Sequence, residues 1–286
     1  MFITLALIPF FTWALADVFG TLASRAIGNL LVNFGFLLFS FLFISMFVPF
    51  AGPITSVVYF FVALILGGFQ VIGLLTYFKA TEIGNASLVG AIVGSFSILV
   101  VVLSLILFRD TLKPIQFFGI IVCLAGLVTT SFRFEELRSI NTRNLFSDPG
   151  VQFAFVTFVT WGLYFTLIRI PVEKIGWFWS LYPATFYFLP LLLIGSLRQK
   201  LRHLKINKKA FSQIFLMVFF GRIGDFAYNM ALTKGFSSIV GAITGASPVL
   251  FIILASFIFK EHLSSQQKIG VVCTMCGILL VTIGSL

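Results

Sequence analysis

The chain has 286 residues, of which 59% are hydrophobic and 10% are charged, and its net charge is +10. A soluble domain carries about 25% charged residues, so this composition excludes an ordinary soluble enzyme and indicates helices that face lipid. The basic residues lie mainly in short connections between apolar segments, where anionic lipid headgroups attract them. We therefore expect membrane lipids as partners and no binding of nucleic acid.

Ten apolar segments follow one another along the chain. Each has about 17 to 25 residues, the length of helix that crosses a hydrocarbon core of roughly 30 Å. Their continuous apolar character, without the alternation of barrel strands, predicts an all-α integral membrane protein. The predicted transmembrane helices are 2–22, 31–50, 56–78, 86–108, 114–132, 151–170, 177–197, 211–233, 238–259 and 269–285.

A polar connection separates the first five predicted helices from the second five. The predicted domains are a first five-helix repeat over 1–132, a polar linker over 133–149 and a second five-helix repeat over 150–286. No Lys or Arg precedes Arg25, and the first apolar segment is longer than the core of a signal peptide. We therefore interpret this segment as a transmembrane helix and not as a secretory signal.

The two halves repeat each other at an offset of 151 residues. The repeated pairs include glycines, a tyrosine and a glutamine, which chance matches in an apolar sequence would not supply. Examples are Gly73 with Gly224, Tyr77 with Tyr228, Gly90 with Gly241, Gly94 with Gly245, and Gln116 with Gln267. A unit with an odd number of spans enters the membrane from the opposite side when it is repeated, so we predict two inverted five-helix repeats and alternating access.

Two segments carry a resemblance to a known family. Ser87 to Gly126 and Ser238 to Gly277 each contain a small-residue-rich helix, an acidic loop residue, a leucine two residues later, a glutamine and spaced glycines. This pattern resembles the EamA domain of the drug/metabolite transporter superfamily. The resemblance implies a ten-helix transporter with a central cavity, in a superfamily that moves amino acids, other metabolites, drugs, nucleotide sugars and sugar phosphates. Ser97 departs from the pattern, because the second half has a proline, Pro248, at the equivalent position.

Ionisable residues inside the predicted helices are few. Arg222, Asp225 and Asn229 are spaced by three and four residues and share one helix face. An unpaired Arg or Asp at the bilayer centre costs about 2.5 to 3.5 kcal/mol, so this face should meet a cavity or a partner. The alternative interpretation is a structural ion pair within the helix. The equivalent positions of the first half are apolar, which favours a functional role.

Asp17 is the other acid inside a predicted helix. It is expected to pair with Arg222, to titrate during transport, or to hold a cationic group; a helix–helix salt bridge is the structural alternative. Trp13 and Trp161 are equivalent at an offset of 148 and suit a pocket wall, or else a core or interfacial position. The predicted substrate-binding residues are Arg222, Asp225, Asn229, Tyr228, Trp13, Asp17, Trp161, Tyr164, Tyr77 and Gln70. Asp17 and Asp225 are the candidates for coupling to protons.

Paired glycines predict close helix packing. Gly90 with Gly94, and Gly241 with Gly245, each place two glycines on one helix face, which lets neighbouring backbones approach. With Pro248 as a predicted kink, we assign these residues to helix packing and gating. The chain has no phosphate loop, nucleophile elbow or metal-ligand spacing, so we expect no enzyme activity, no cofactor and no metal.

These patterns predict a gradient-driven carrier of small organic metabolites in the cell membrane. Amino-acid-like or other carboxylate-bearing solutes are the favoured substrates, and export is favoured over uptake. The alternatives are a membrane scaffold without transport and a flippase for lipid-linked substrates. Basic residues in the connections favour both termini outside by the positive-inside rule, whereas the family resemblance implies both in the cytoplasm. Orientation, substrate, coupling ion and the choice between monomer and homodimer stay open.

Overall fold

The computed structural model describes residues 2–84, 86–131, 148–202, 208–258 and 263–285, with the side chains of 86–88, 91 and 255 left aside. Most of the predicted linker and the loop acid Glu261 lie outside these ranges, and the boundaries of the predicted domains stay predictions. Within the described ranges every regular element is helical. The all-helical expectation from composition is therefore confirmed for this part of the chain.

Fourteen helices are described. They are α1 (Phe2–Ile27), α2 (Asn29–Ser45), α3 (Val57–Ile83), α4 (Ala86–Gly94), α5 (Phe96–Leu107), α6 (Pro114–Ser131), α7 (Pro149–Leu167), α8 (Arg169–Leu181), α9 (Phe188–Leu191), α10 (Gly195–Arg202), α11 (Lys208–Leu232), α12 (Ser237–Thr244), α13 (Ser247–Ile258) and α14 (Ser265–Gly284). Two 3₁₀ segments, Val48–Phe50 and Tyr182–Tyr187, connect some of them.

Seven described segments are long and apolar enough to cross a membrane. They are α1, α3, α6, α7, α11, α14 and the combined α12–α13 segment; a bent segment from α8 to α10 makes an eighth. The shorter apolar helices include α2, with 17 residues. A multi-pass membrane protein follows from these lengths, and the count of ten spans stays a prediction.

The predicted helix over 177–197 differs from the structure. Gly176 has φ +80° inside α8, a 3₁₀ segment follows α8, and α10 turns away by 80°. Pro183 and Pro190 lie in this stretch, and each removes a backbone N–H donor that a continuous α-helix would need. The bent segment is still long and apolar enough to cross a membrane, but its prolines prevent one straight helix.

Helix ends follow local sequence signals. Pro149 occupies the first turn of α7, and the Asp148 side chain accepts a hydrogen bond of 2.7 Å from the Gly150 N–H. At the start of α14, the Ser264 hydroxyl and the Gln267 side chain each accept from the other residue's backbone N–H. These contacts satisfy N–H groups that have no partner within the helix.

The same break occurs at equivalent positions of the two halves. Helix α4 stops at Gly94 and α5 starts at Phe96, whereas α12 stops at Thr244 and α13 starts at Ser247. Pro248 explains the second break, because its ring cannot continue the preceding helix. The first half breaks at the same place although Ser97 stands where the proline would be.

Helices α6 and α14 pack along a seam of glycines. A Cβ atom at Gly119 would lie 2.8 Å from the Val281 nitrogen, and one at Gly277 would overlap the Cys123 backbone. Gly126 faces Thr274 just as closely, and Gly270 faces Thr130. The partner number falls as the glycine number rises, so the two helices run antiparallel.

Two tryptophans pack on glycines in the same manner. The Trp13 ring of α1 lies against Gly224 of α11, with the indole Cδ1 2.6 Å from the position of a Cβ. The Trp161 ring of α7 lies against Gly73 of α3 even more closely. Each contact is the repeat equivalent of the other, so the α1–α11 and α7–α3 pairs are built alike.

Candidate functional site

A cavity of about 520 Å³ lies between the two halves. Its wall runs along α1 from Trp13 to Arg25 and along α3 from Gln70 to Glu82. Each stretch covers about 18 Å at 1.5 Å rise per residue. The cavity therefore extends from the helix ends on the side of the α1–α2 connection to the middle of the membrane. Gln267, near the start of α14, lies at the same end.

Arg222 forms the charged wall of the cavity. Its side chain is fully buried, and its Nη1 donates a 2.7 Å hydrogen bond to Asp225 Oδ2. The Nε donates to Ser40 Oγ at 2.8 Å, and the guanidinium carbon lies 4.4 Å from the centre of the Phe36 ring. Among the described residues, no group accepts a hydrogen bond from Nη2. The arginine is thus neutralised, but one of its donors has no acceptor among the described residues.

Asp225 and Asp17 differ in their partners. Asp225 accepts hydrogen bonds from Arg222 and, at 3.1 Å, from the Trp13 indole Nε1. Asp17 also lines the cavity, and within the described chain it makes no hydrogen bond or ion pair. The pairing of Asp17 with Arg222 that the sequence left open is absent, because Asp225 on the same helix takes that place. Asp17 thus lines the cavity without a counter-charge among the described residues.

Aromatic rings form the inner end of the cavity. Trp161 lies 5.3 Å from Tyr77 and 5.8 Å from Phe96, measured between ring centres, and all three line the cavity. The Trp161 indole N–H donates to the Gln70 carbonyl at 3.2 Å. Phe165 contacts Trp13 at 5.1 Å. Flat apolar faces in a cavity that two arginines and three acids also line suit an organic molecule with a charged group.

Three predicted binding residues lie away from the cavity. The Tyr228 hydroxyl donates to the Phe165 carbonyl at 2.7 Å, and the Asn229 amide donates to the Trp177 carbonyl and to Ser180 Oγ. Tyr164 is also buried outside the cavity wall. These side chains join α11 to α7 and α8, so the structure gives them packing contacts. The other seven predicted binding residues line the cavity.

The glycine pairs of the two halves are placed differently. Gly90, Gly94 and Pro248 line the cavity, and a Cβ atom at Gly90 would meet no atom of the described residues within 4 Å. Gly241 and Gly245 are buried against α5 instead. Close helix packing is therefore seen for the second pair and not for Gly90.

Sequence reasoning missed two neighbours of Arg222 on α2. Ser40 is a hydroxyl at mid-depth in an apolar helix, and Phe36 lies one turn before it on the same face. Their spacing was visible, but which helix packs against that face depends on tertiary structure. Among the described residues, no group of three His, Cys, Asp or Glu side chains is arranged to hold a metal ion.

Comparison with known proteins assigns the family. The model of the EamA-like transporter family matches residues 1–132 and 148–283. The chain belongs to the EamA-like transporter family. The resemblance carried by the two glycine-rich segments is thereby confirmed. As members of this family are membrane transporters of small molecules and not enzymes, the EamA match and the apolar helices together indicate a multi-pass transport protein.

One solved structure supports the fold. A crystal structure of a protein with 18% sequence identity matches 99% of this EamA chain and 98% of its own, with a TM-score of 0.73. Identity this low supports a shared fold only. A search of curated proteins found no match.

Proposed function

We propose that this EamA protein is a gradient-driven carrier of small carboxylate-bearing metabolites. The observation that carries the proposal is the buried Arg222, which lines a cavity of metabolite size and whose Nη2 donor has no acceptor among the described residues. A buried guanidinium that keeps a donor without a partner is costly, and a carboxylate would accept from it in a charge-assisted hydrogen bond. Substrate binding would therefore complete the hydrogen bonding of Arg222.

Asp17 supports an amino-acid-like substrate. It lines the same cavity as Arg222 and makes no ion pair among the described residues. A molecule that bears both a carboxylate and an amine would offer a partner to each residue. The aromatic faces of Trp161 and Tyr77 would pack against the rest of the molecule.

Of the two predicted coupling candidates, Asp17 and Asp225, Asp17 is the better supported. Asp225 accepts from Arg222 and Trp13, so protonation would remove the negative charge that pairs with Arg222 and weaken these hydrogen bonds. Asp17 has no such partner among the described residues. We propose that exchange of a proton or an amine at Asp17 couples transport to a gradient, since ionisable residues in membrane proteins commonly mark such pathways.

Inverted repeats and alternating access form the proposed mechanism. The antiparallel α6–α14 seam and the equivalent Trp13 and Trp161 contacts support ten spans arranged as two inverted five-helix repeats. The described cavity wall includes Arg25, Glu82 and Gln267, which lie at the helix ends on the side of the α1–α2 connection, as one state of such a carrier would require. We place the protein in the cell membrane and favour export, with the orientation of its termini still open.

Ligand binding to the purified protein tests the proposal. We expect amino acids or small carboxylic acids to raise the unfolding temperature in detergent, while matched neutral amides do not. Arg222→Gln alone would leave Asp225 buried without its cation, so the test variant is the double replacement Arg222→Gln with Asp225→Asn. Asn229→Ala, which lies outside the cavity wall, is the control that should keep binding.

The outcomes separate the candidate functions. Loss of carboxylate binding in the folded double variant, with binding kept in the control, supports the carrier. Undiminished binding in the double variant contradicts the role of Arg222. A second experiment reconstitutes the protein in lipid vesicles. If no solute stabilises the wild type and the protein moves fluorescent lipids between the two leaflets of these vesicles, the flippase alternative replaces the proposal. If neither occurs and the double variant only loses stability, the ion pair is a scaffold element.

A further inference from the structure

The two halves present equivalent helix contacts in different states. In the second half, a Cβ atom at Gly241 of α12 would lie 2.5 Å from Val100 Cγ1 of α5, and one at Gly245 would overlap Ser97. Gly241 is buried and its helix lies directly on α5. This contact has no room for a side chain, so α12 and α5 are fully closed on each other.

The equivalent contact in the first half is open. Moving each residue by the repeat offset of 151 turns this contact into Gly90 with Phe251 and Gly94 with Pro248. Among the described atoms, a Cβ at Gly90 would meet nothing within 4 Å, and one at Gly94 would approach Pro248 only to 3.6 Å. All four residues line the cavity. The two surfaces of the first-half contact are thus separated by the cavity. The two surfaces of the second-half contact, which lie outside the cavity wall, are packed together.

A second set of contacts fastens the closed side. Asp110, which follows α5 in the chain, accepts from the Ser238 N–H at 2.9 Å and from the Ser238 hydroxyl at 2.8 Å. Its other oxygen accepts from Arg169 Nη1 at 2.9 Å, and the Asp110 side chain is 1% exposed. Arg109 has a backbone φ of +52°, a conformation that residues other than glycine rarely adopt. The loop therefore holds a strained residue next to the carboxylate that caps α12.

We propose that these equivalent surfaces are the two gates of the protein, and that they exchange states during its cycle. The closed gate is the contact of Gly241 and Gly245 with α5. The open gate is formed by Gly90 and Gly94, which face α13 across the cavity. In the opposite state Gly90 approaches Phe251 as closely as Gly241 now approaches Val100. This inference rests on the alternating access proposed above, and it assigns the closing surfaces.

The gate assignment gives opposite effects for two equivalent substitutions. Gly90→Ala adds a methyl group to open space in the present state and creates a clash in the opposite state. Gly241→Ala adds the methyl group to the closed contact and penalises the present state. Overpacking at such a contact shifts the balance by about tenfold, the change that about 1.4 kcal/mol produces.

Thiol labelling measures the two states without any substrate. In a background with Cys123, Cys273 and Cys276 replaced by alanine, a single cysteine is introduced at Val93 or at its repeat equivalent Thr244. Both side chains are buried, at 4% and 1% exposure, but Val93 lines the cavity and Thr244 lies outside the cavity wall. A small membrane-impermeant methanethiosulfonate reagent that enters the cavity should therefore label Val93→Cys faster than Thr244→Cys. Because no solute is needed, failure of this test is distinct from failure of the carboxylate proposal.

The expected shifts have opposite signs. Gly90→Ala should slow the labelling of Thr244→Cys about tenfold and leave that of Val93→Cys unchanged. Gly241→Ala should raise the labelling of Thr244→Cys about tenfold, and Asp110→Asn should change it in the same direction. Equal or same-sign shifts in the two glycine variants would overturn the proposal. If Gly241→Ala does not fold, Gly90→Ala decides alone, and an unchanged Thr244→Cys rate would overturn it.

Discussion

Arg222 owes its buried position to a set of contacts on two helices. Asp225, three residues later on α11, provides the charge partner, and Ser40 on α2 accepts from Nε. The Trp13 indole N–H donates to the second oxygen of Asp225. The ion pair that would make this stripe a structural element is therefore present, and the cavity that would make it functional is present beside it.

Removing the acid of this pair should destabilise the protein. Asp225→Asn leaves the Arg222 guanidinium buried without a counter-charge, so we expect the free energy of unfolding to fall by about 3 to 5 kcal/mol. Asp17→Asn is the matched control, because Asp17 has no ion pair to lose among the described residues. Unfolding in detergent, followed by circular dichroism, measures both. Equal stability of the two variants would contradict the account of the pair.

The sequence predicted part of the site at this scale. An arginine and an acid inside an apolar helix must face a cavity or a partner, so Arg222, Asp225 and Asp17 could be found without a structure. Tyr228 and Asn229 lie one turn from these residues but contact α7 and α8 instead. The helix α11 has neighbours on several sides, and sequence spacing does not show which neighbour a given face meets.

At the scale of helices, glycines decide how closely the elements pack. The α6–α14 seam brings Gly126 and Gly277 against the backbones of Thr274 and Cys123. In a membrane, close packing replaces the hydrophobic effect as the force between helices. The seam was visible in the sequence as glycines repeated at the offset of 151, although its partner helix was not.

A methyl group in this seam should weaken the fold. We expect Gly277→Ala to lower the free energy of unfolding by about 1 to 3 kcal/mol, because the new Cβ overlaps the Cys123 backbone and the helices must separate. Gly195→Ala is the control, since a Cβ there meets no atom of the described residues within 4 Å. Unfolding by a denaturing detergent compares the two. A seam variant as stable as the control would show that α6 and α14 are not closely packed.

The breaks in the helices were harder to predict. Pro248 predicted a kink in the second half, and α12 ends there at Thr244, three residues before α13 begins at Ser247. The first half breaks at Ser95 without a proline, so packing rather than local sequence sets that break. After Gly176, prolines interrupt the helix. The hydropathy of this stretch is as high as that of a continuous transmembrane helix, so hydropathy alone did not predict the break.

At the scale of the whole molecule, equivalent parts of the two halves do different work. Trp13 and Trp161 pack alike on glycines, while polar groups at Arg222 and Asp225 occur in the second half only. The two proposed gates likewise use equivalent residues, but one contact is open and the other is closed. A duplicated fold therefore supplies two equivalent shapes, and substitutions in one half supply the charged group that would select the solute.

Counterflow in liposomes tests most directly whether the molecule is an alternating carrier. Vesicles that contain the protein are loaded with unlabelled amino acids and small carboxylic acids and diluted into trace amounts of the same solutes with a radiolabel. A carrier exchanges solute across the membrane, so we expect at least one label to accumulate transiently above its equilibrium level. The double variant Arg222→Gln with Asp225→Asn should abolish this overshoot. Folded wild-type protein that gives no overshoot for any solute, or an overshoot that the double variant keeps, would contradict the account.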